Sequence, residues 1–97
     1  MTILPRSPSP AKADAPDPQA LSLNALGWVL ADGERAQRFL ALTGLTPDDL
    51  RASLGDPATL AGVLEFLCAY EPDLVAAAEA LGVEPQVIAE ARERMAR

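Results

Sequence analysis

Histidine, cysteine and closely spaced carboxylates are where a small chain would keep its chemistry, and this one has little of any. Among its 97 residues there is no histidine and a single cysteine, Cys68. A nucleophile activated by histidine is therefore ruled out. One thiol makes neither an intramolecular disulfide nor a thiolate metal cluster. Cys68 also lies in an apolar stretch, where a thiol behaves as a small hydrophobe with a raised pKa. Asp48 and Asp49 form an adjacent acidic pair. They follow Thr46-Pro47 and so fall in a first helical turn, where acids stabilise the positive end of the dipole. Glu65 is the only charged residue between Pro57 and Tyr70. Buried alone it would be an acid poised for catalysis. Lone buried carboxylates are costly, so the favoured reading is a structural ion pair with Arg38 or Arg51. The six glycines are scattered and form no phosphate-cradling loop. The sequence thus predicts a protein that is not an enzyme, with no catalytic, cofactor-binding or metal-binding residues.

The elements that would position these residues are marked by one repeated device. Asp17-Pro18, Thr46-Pro47, Asp56-Pro57, Glu71-Pro72 and Glu84-Pro85 each place a polar or acidic residue before proline. Asp or Thr at an N-cap accepts a hydrogen bond from an orphan N–H, and proline in the first turn loses no hydrogen bond. Between the marks run apolar segments at helical spacing. Helices are expected over about 18–31, 34–43, 47–54, 57–70, 72–81 and 85–95. In the first, Leu23, Leu26 and Leu30 share a stripe. In the second, Gly44 closes the helix where a left-handed residue is cheapest. The fourth is apolar on every side apart from Glu65, yet too short to span a bilayer. It is the expected central helix. In the sixth, Val87, Ile88, Ala91 and Met95 face inward, with Arg92, Arg94 and Arg97 at the end the dipole favours for cations. Valine and isoleucine never alternate with polar residues, so no strand is expected. The fold class is all-α: a compact bundle of five to six short helices around a central apolar helix.

Residues 1–17 differ in kind. Pro5, Pro8, Pro10 and Pro16 fall there with few large apolar side chains, which predicts a flexible Pro-rich tail ahead of a helical domain over 18–97. No basic start followed by an apolar run marks a secretory signal, and a cytoplasmic location is expected. The net charge of −6 disfavours phosphate backbones and anionic lipid. Residues 39–54 have helix–turn–helix length, but a reading helix that opens with Asp48 and Asp49 argues against DNA.

A weak internal echo links Gly44-Leu45-Thr46-Pro47 to Gly82-Val83-Glu84-Pro85, and shared turn chemistry accounts for it. The same segments carry a resemblance. Arg38-Phe39-Leu40, Thr43-Gly44-Leu45, Asp49-Leu50-Arg51, Val63-Leu64-Glu65-Phe66-Leu67, Glu71-Pro72 and Gly82-Val83-Glu84-Pro85 are similar to a bacterial family known as domain-of-unknown-function family 3572. The resemblance covers about 25–92. It implies a small, acidic, helical protein and carries over no activity. The function expected is a protein–protein interaction or regulatory module, with Trp28 as the candidate interaction surface. The partner would be another protein or a second copy in a homodimer, with no nucleic acid and no membrane. A structural homodimer without a regulatory role, a helix–turn–helix-like transcription regulator and an enzyme using Glu65 are the alternatives.

Overall fold

A computed structural model describes residues 17–96; the Pro-rich segment expected as a tail lies, up to Pro16, outside the described residues. Among the described residues there are six helices and no strand. They are α1 (Pro18–Leu30), α2 (Gly33–Thr43), α3 (Pro47–Ala52), α4 (Pro57–Cys68), α5 (Glu71–Leu81) and α6 (Pro85–Met95).

The proline marks work as capping chemistry requires. The Asp17 carboxylate accepts from the Ala20 N–H, and the Asp56 carboxylate from the Ala58 N–H. Thr46 and Asp49 form a reciprocal capping box, each side chain accepting the other's backbone N–H. Two marks behave differently. Glu84 occupies the cap of α6 without a side-chain bond. At α5 the cap residue is Tyr70, and Glu71 lies inside the first turn beside Pro72. Asp32 supplies a cap with no proline after it, accepting from the Arg35 N–H and turning the expected Asp32-Gly33 turn into the start of α2.

The echoed glycines both adopt the left-handed conformation, Gly44 at φ 76° and Gly82 at φ 72°, where a side chain would be strained. The closures differ. Gly44 N–H returns to the Leu40 carbonyl at 2.8 Å, whereas Val83 N–H reaches the Ala78 carbonyl at 3.0 Å and Gly82 N–H the Glu79 carbonyl at 3.2 Å. The first is the single-bond αL closure and the second the two-bond Schellman closure.

Helices α1, α4, α5 and α6 each touch the other three, and α4 also meets α2. The apolar α4 is central, as its composition demands. Leu60, Val63, Leu64 and Leu67 are wholly buried. Burying four such side chains is worth about 1.5–3 kcal/mol each, the largest single-helix contribution here. The face of α1 corrects the sequence reading. Leu21, Ser22, Ala25, Leu26 and Val29 are buried, while Leu23 and Leu30 are exposed. Of the expected stripe only Leu26 is buried, and it lies inward together with the i, i+4, i+8 row Leu21, Ala25 and Val29 rather than with Leu23 and Leu30. In α6, Ile88 and Ala91 are buried, with Val87 and Met95 partly so.

Helices α2 and α3 form an excursion from this four-helix core. It is held by Phe39, fully buried, whose ring meets Phe66 of α4 edge-on with centroids 5.4 Å apart, and by Leu50, the one buried residue of α3.

Candidate interaction groove

Where the excursion leans against the end of α1, the fold leaves an open space of about 310 Å³. Leu30 of α1, Ala36 and Leu40 of α2, and Pro47, Leu50, Arg51 and Leu54 of the α3 segment line it. Leu30 and Leu54 remain exposed, as does Leu42 further along α2. Each lining residue has a local cause. The αL turn at Gly44 reverses the chain, the Thr46–Asp49 box starts α3 at once, and α3 ends at Ala52. Leu50 then points inward while Leu54 stays at the mouth.

The excursion is fastened to α4 and α5 by a polar clamp. Arg38 Nη2 donates to Asp73 Oδ2 at 3.0 Å. Its guanidinium also lies over the rings of Phe66, at 5.2 Å, and Tyr70, at 5.7 Å. Asp73, in the first turn of α5, is a buried acid, its side chain 12% exposed against 46% for Arg38. Adjacent residues thus serve two ends: Phe39 enters the core and Arg38 closes over α4 and α5.

The expected site residues therefore lie apart from one another. Glu65 does not pair with Arg38 or Arg51. Its side chain is 60% exposed and its nearest cation is Arg92 of α6, at 3.8 Å. Helix packing explains this. Arg38 is taken by Asp73, Arg51 is held by Asp48 at 2.8 Å within its own helix, and α6 rather than α3 lies against α4. As the one exposed residue between Leu60 and Cys68, Glu65 marks the strip of α4 that reaches solvent, and it lines no part of the groove. Trp28 is not an open surface. Its ring packs on the core, and the Arg35 guanidinium covers it 3.5 Å from the ring centroid while donating to the Trp28 carbonyl. Cys68 is half-buried. Burial pushes its thiol pKa up; Arg92 nearby opposes this and Glu65 reinforces it. Asp48 and Asp49 occupy the first turn of α3, as their position after Thr46-Pro47 requires.

Sequence reasoning missed two things, the groove and Asp73. Asp73 carried a signal. It lies four residues before Ala77, which is wholly buried, so helical spacing puts its carboxylate on the buried face of α5. Among the described residues no cluster of His, Cys, Asp or Glu is arranged to hold a metal, and no described helix is long and apolar enough to cross a membrane.

These features define an all-α bundle with a clamped two-helix excursion and an apolar groove beside it. The family model described as protein of unknown function, DUF3572, matches residues 15–97, and the chain belongs to that family. No curated protein and no solved structure matches it. The residues that carried the resemblance now have places: Arg38 in the clamp, Phe39 in the core, Leu40 and Arg51 in the groove, Gly44 and Gly82 in left-handed turns.

Proposed function

We propose that this protein is a non-enzymatic interaction module whose docking surface is the groove between α1 and the α2–α3 excursion. The observation that carries the reading is the row Leu30, Leu40, Leu50 and Leu54 along an open space of about 310 Å³. Apolar side chains left in contact in a concave surface gain by being covered. The partner is another protein, since an acidic chain disfavours nucleic acid and anionic lipid. The cytoplasm suits a protein with one thiol and no disulfide. An enzyme acting through Glu65 finds no support in that residue's exposed position beside Arg92.

The test is photo-crosslinking in the cell of origin. A benzophenone amino acid replaces Leu54 in one variant and exposed Glu79, outside the groove, in another. Discrete adducts from position 54 and none from position 79 support the groove. Identical patterns from both positions, or no adduct at 54, would sink it.

A further inference from the structure

Helix α2 is riveted to the bundle and α3 is not. Phe39 meets Phe66, Arg38 holds Asp73 and Arg35 covers Trp28. All three rivets lie before Leu40, and beyond it the ties change in kind. From Ala41 to Ala58 every residue is exposed except Leu45, Leu50 and Ser53, and of these Leu50 alone is buried. The polar groups of this stretch serve one another. Thr46 and Asp49 exchange hydrogen bonds, and Arg51 pairs with Asp48. The Ser53 N–H returns to the Asp49 and Leu50 carbonyls, and its hydroxyl to the Leu50 carbonyl. Among the described residues no hydrogen bond or ion pair runs from 45–54 to α1, α4, α5 or α6. None of the other helices packs closely along α3.

Helix α3 is thus finished internally and attached to the core at one point. Moving it outward breaks no hydrogen bond to the four-helix core. It exposes Leu50 and part of Leu45, and segments with so few buried apolar contacts are the first to open. Gly44 precedes α3 and Gly55 follows it, and hinges are built from a few such positions at the ends of elements. We propose that α3 is a hinged lid, latched by Leu50, that sets the width of the groove. One wall of the groove, Leu30, Ala36 and Leu40, belongs to α1 and the riveted α2. The other, Pro47, Leu50, Arg51 and Leu54, is carried by the lid. Outward movement vacates the socket of Leu50 and adds it to the open space. A partner's apolar side chain that fills this socket binds the open form preferentially and draws the lid outward. The movement is a property of the chain alone; its role as a gate rests on the reading of the groove as a docking surface.

The experiment uses the full chain with Cys68→Ser and pairs of spin labels, read by electron–electron double resonance, which reports distances whatever the rate of movement. One pair, Ala52→Cys and Ala80→Cys, spans α3 and α5. The other, Ala80→Cys and Glu90→Cys, spans α5 and α6 as a control; all three positions are exposed. Each pair is measured in the parent, in Leu50→Ala and in the milder Leu50→Val. The parent is expected to show one main α3–α5 distance. Leu50→Ala should add a second distance, raising the ratio of open to closed by at least about tenfold. Leu50→Val should move the same ratio in the same direction by less. The α5–α6 distance should stay as it is, and the Cα chemical shifts of 47–52 should keep their helical values. An α3–α5 distance unchanged in both variants overturns the latch. An α5–α6 distance that broadens in either variant shows that Leu50 holds the whole bundle and overturns the lid. Random-coil shifts over 47–52 show that α3 unravels rather than swings and overturn it too. None of these measurements needs a partner, so crosslinking from position 54 decides the docking surface separately.

Discussion

Removing Arg38 should harm this protein more than removing Asp73, and removing both should repair part of the damage. In Arg38→Met the thioether still covers Phe66 and Tyr70, so the stacked contact is largely kept. What is lost is the 3.0 Å bond to Asp73, which strands a carboxylate that is 12% exposed. An unsatisfied buried group costs about 1–3 kcal/mol, with charged groups at the upper end. A loss of about 2 kcal/mol is expected. In Asp73→Ala the released guanidinium, already 46% exposed, turns into water, so the pair must be discounted for screening. That loss, with the helix-dipole contribution of an acid in the first turn, comes to about 1 kcal/mol. The double variant has neither a stranded carboxylate nor a freed cation and should lose about 1 kcal/mol, less than Arg38→Met alone. Urea denaturation followed by far-ultraviolet circular dichroism reads the difference. With a slope of about 1 kcal/mol per molar urea for so small a domain, Arg38→Met should move the midpoint down by about 2 M and the double variant by about 1 M. If the double variant is less stable than Arg38→Met, the buried carboxylate is not what the arginine neutralises, and the clamp has been misread.

Leu64→Ala empties a wholly buried position on α4. It should cost about 2–5 kcal/mol, comparable to all that a single core of this size supplies, so the variant should be largely unfolded by circular dichroism at room temperature. Cys68 should alkylate along a pH profile displaced upward from that of the urea-unfolded chain, because burial raises its pKa. The raised folded value contributes stability that is fully present below the unfolded pKa and lost as pH rises through the folded one; Cys68→Ser should flatten that alkaline decline.

The helices were legible because their ends are written locally. Asp17, Thr46 and Asp56 cap through their own side chains within three residues, and Gly44 closes α2 through its own φ. The central place of α4 was legible because a helix apolar on nearly every side needs neighbours on nearly every side. Where the sequence reading failed, the deciding information lay in a different helix. The face of α1 depends on which neighbours surround it, and four leucines on a short helix offer more than one stripe. The partner of Glu65 depends on α6 lying against α4, which brings Arg92 near. The groove exists only once α3 has been set against the end of α1, so no local pattern announces it. Tyr70 at the cap of α5 is a local miss, since the proline mark there is displaced by one residue.

The division between a four-helix core and an α2–α3 excursion bears on how such a protein can change over time. The excursion is tied to the rest through Phe39 against Phe66, Arg38 on Asp73, Arg35 on Trp28 and the buried Leu50, while α1, α4, α5 and α6 bury one another without it. Closing a longer connection between α1 and α4 costs only about 0.6 kcal/mol for each doubling of its length. Descendants of this sequence are therefore free to recompose the exposed positions on either side of Leu50, or to lengthen the turns there, while keeping the same foundation, so that new binding preferences can arise on an unchanged frame.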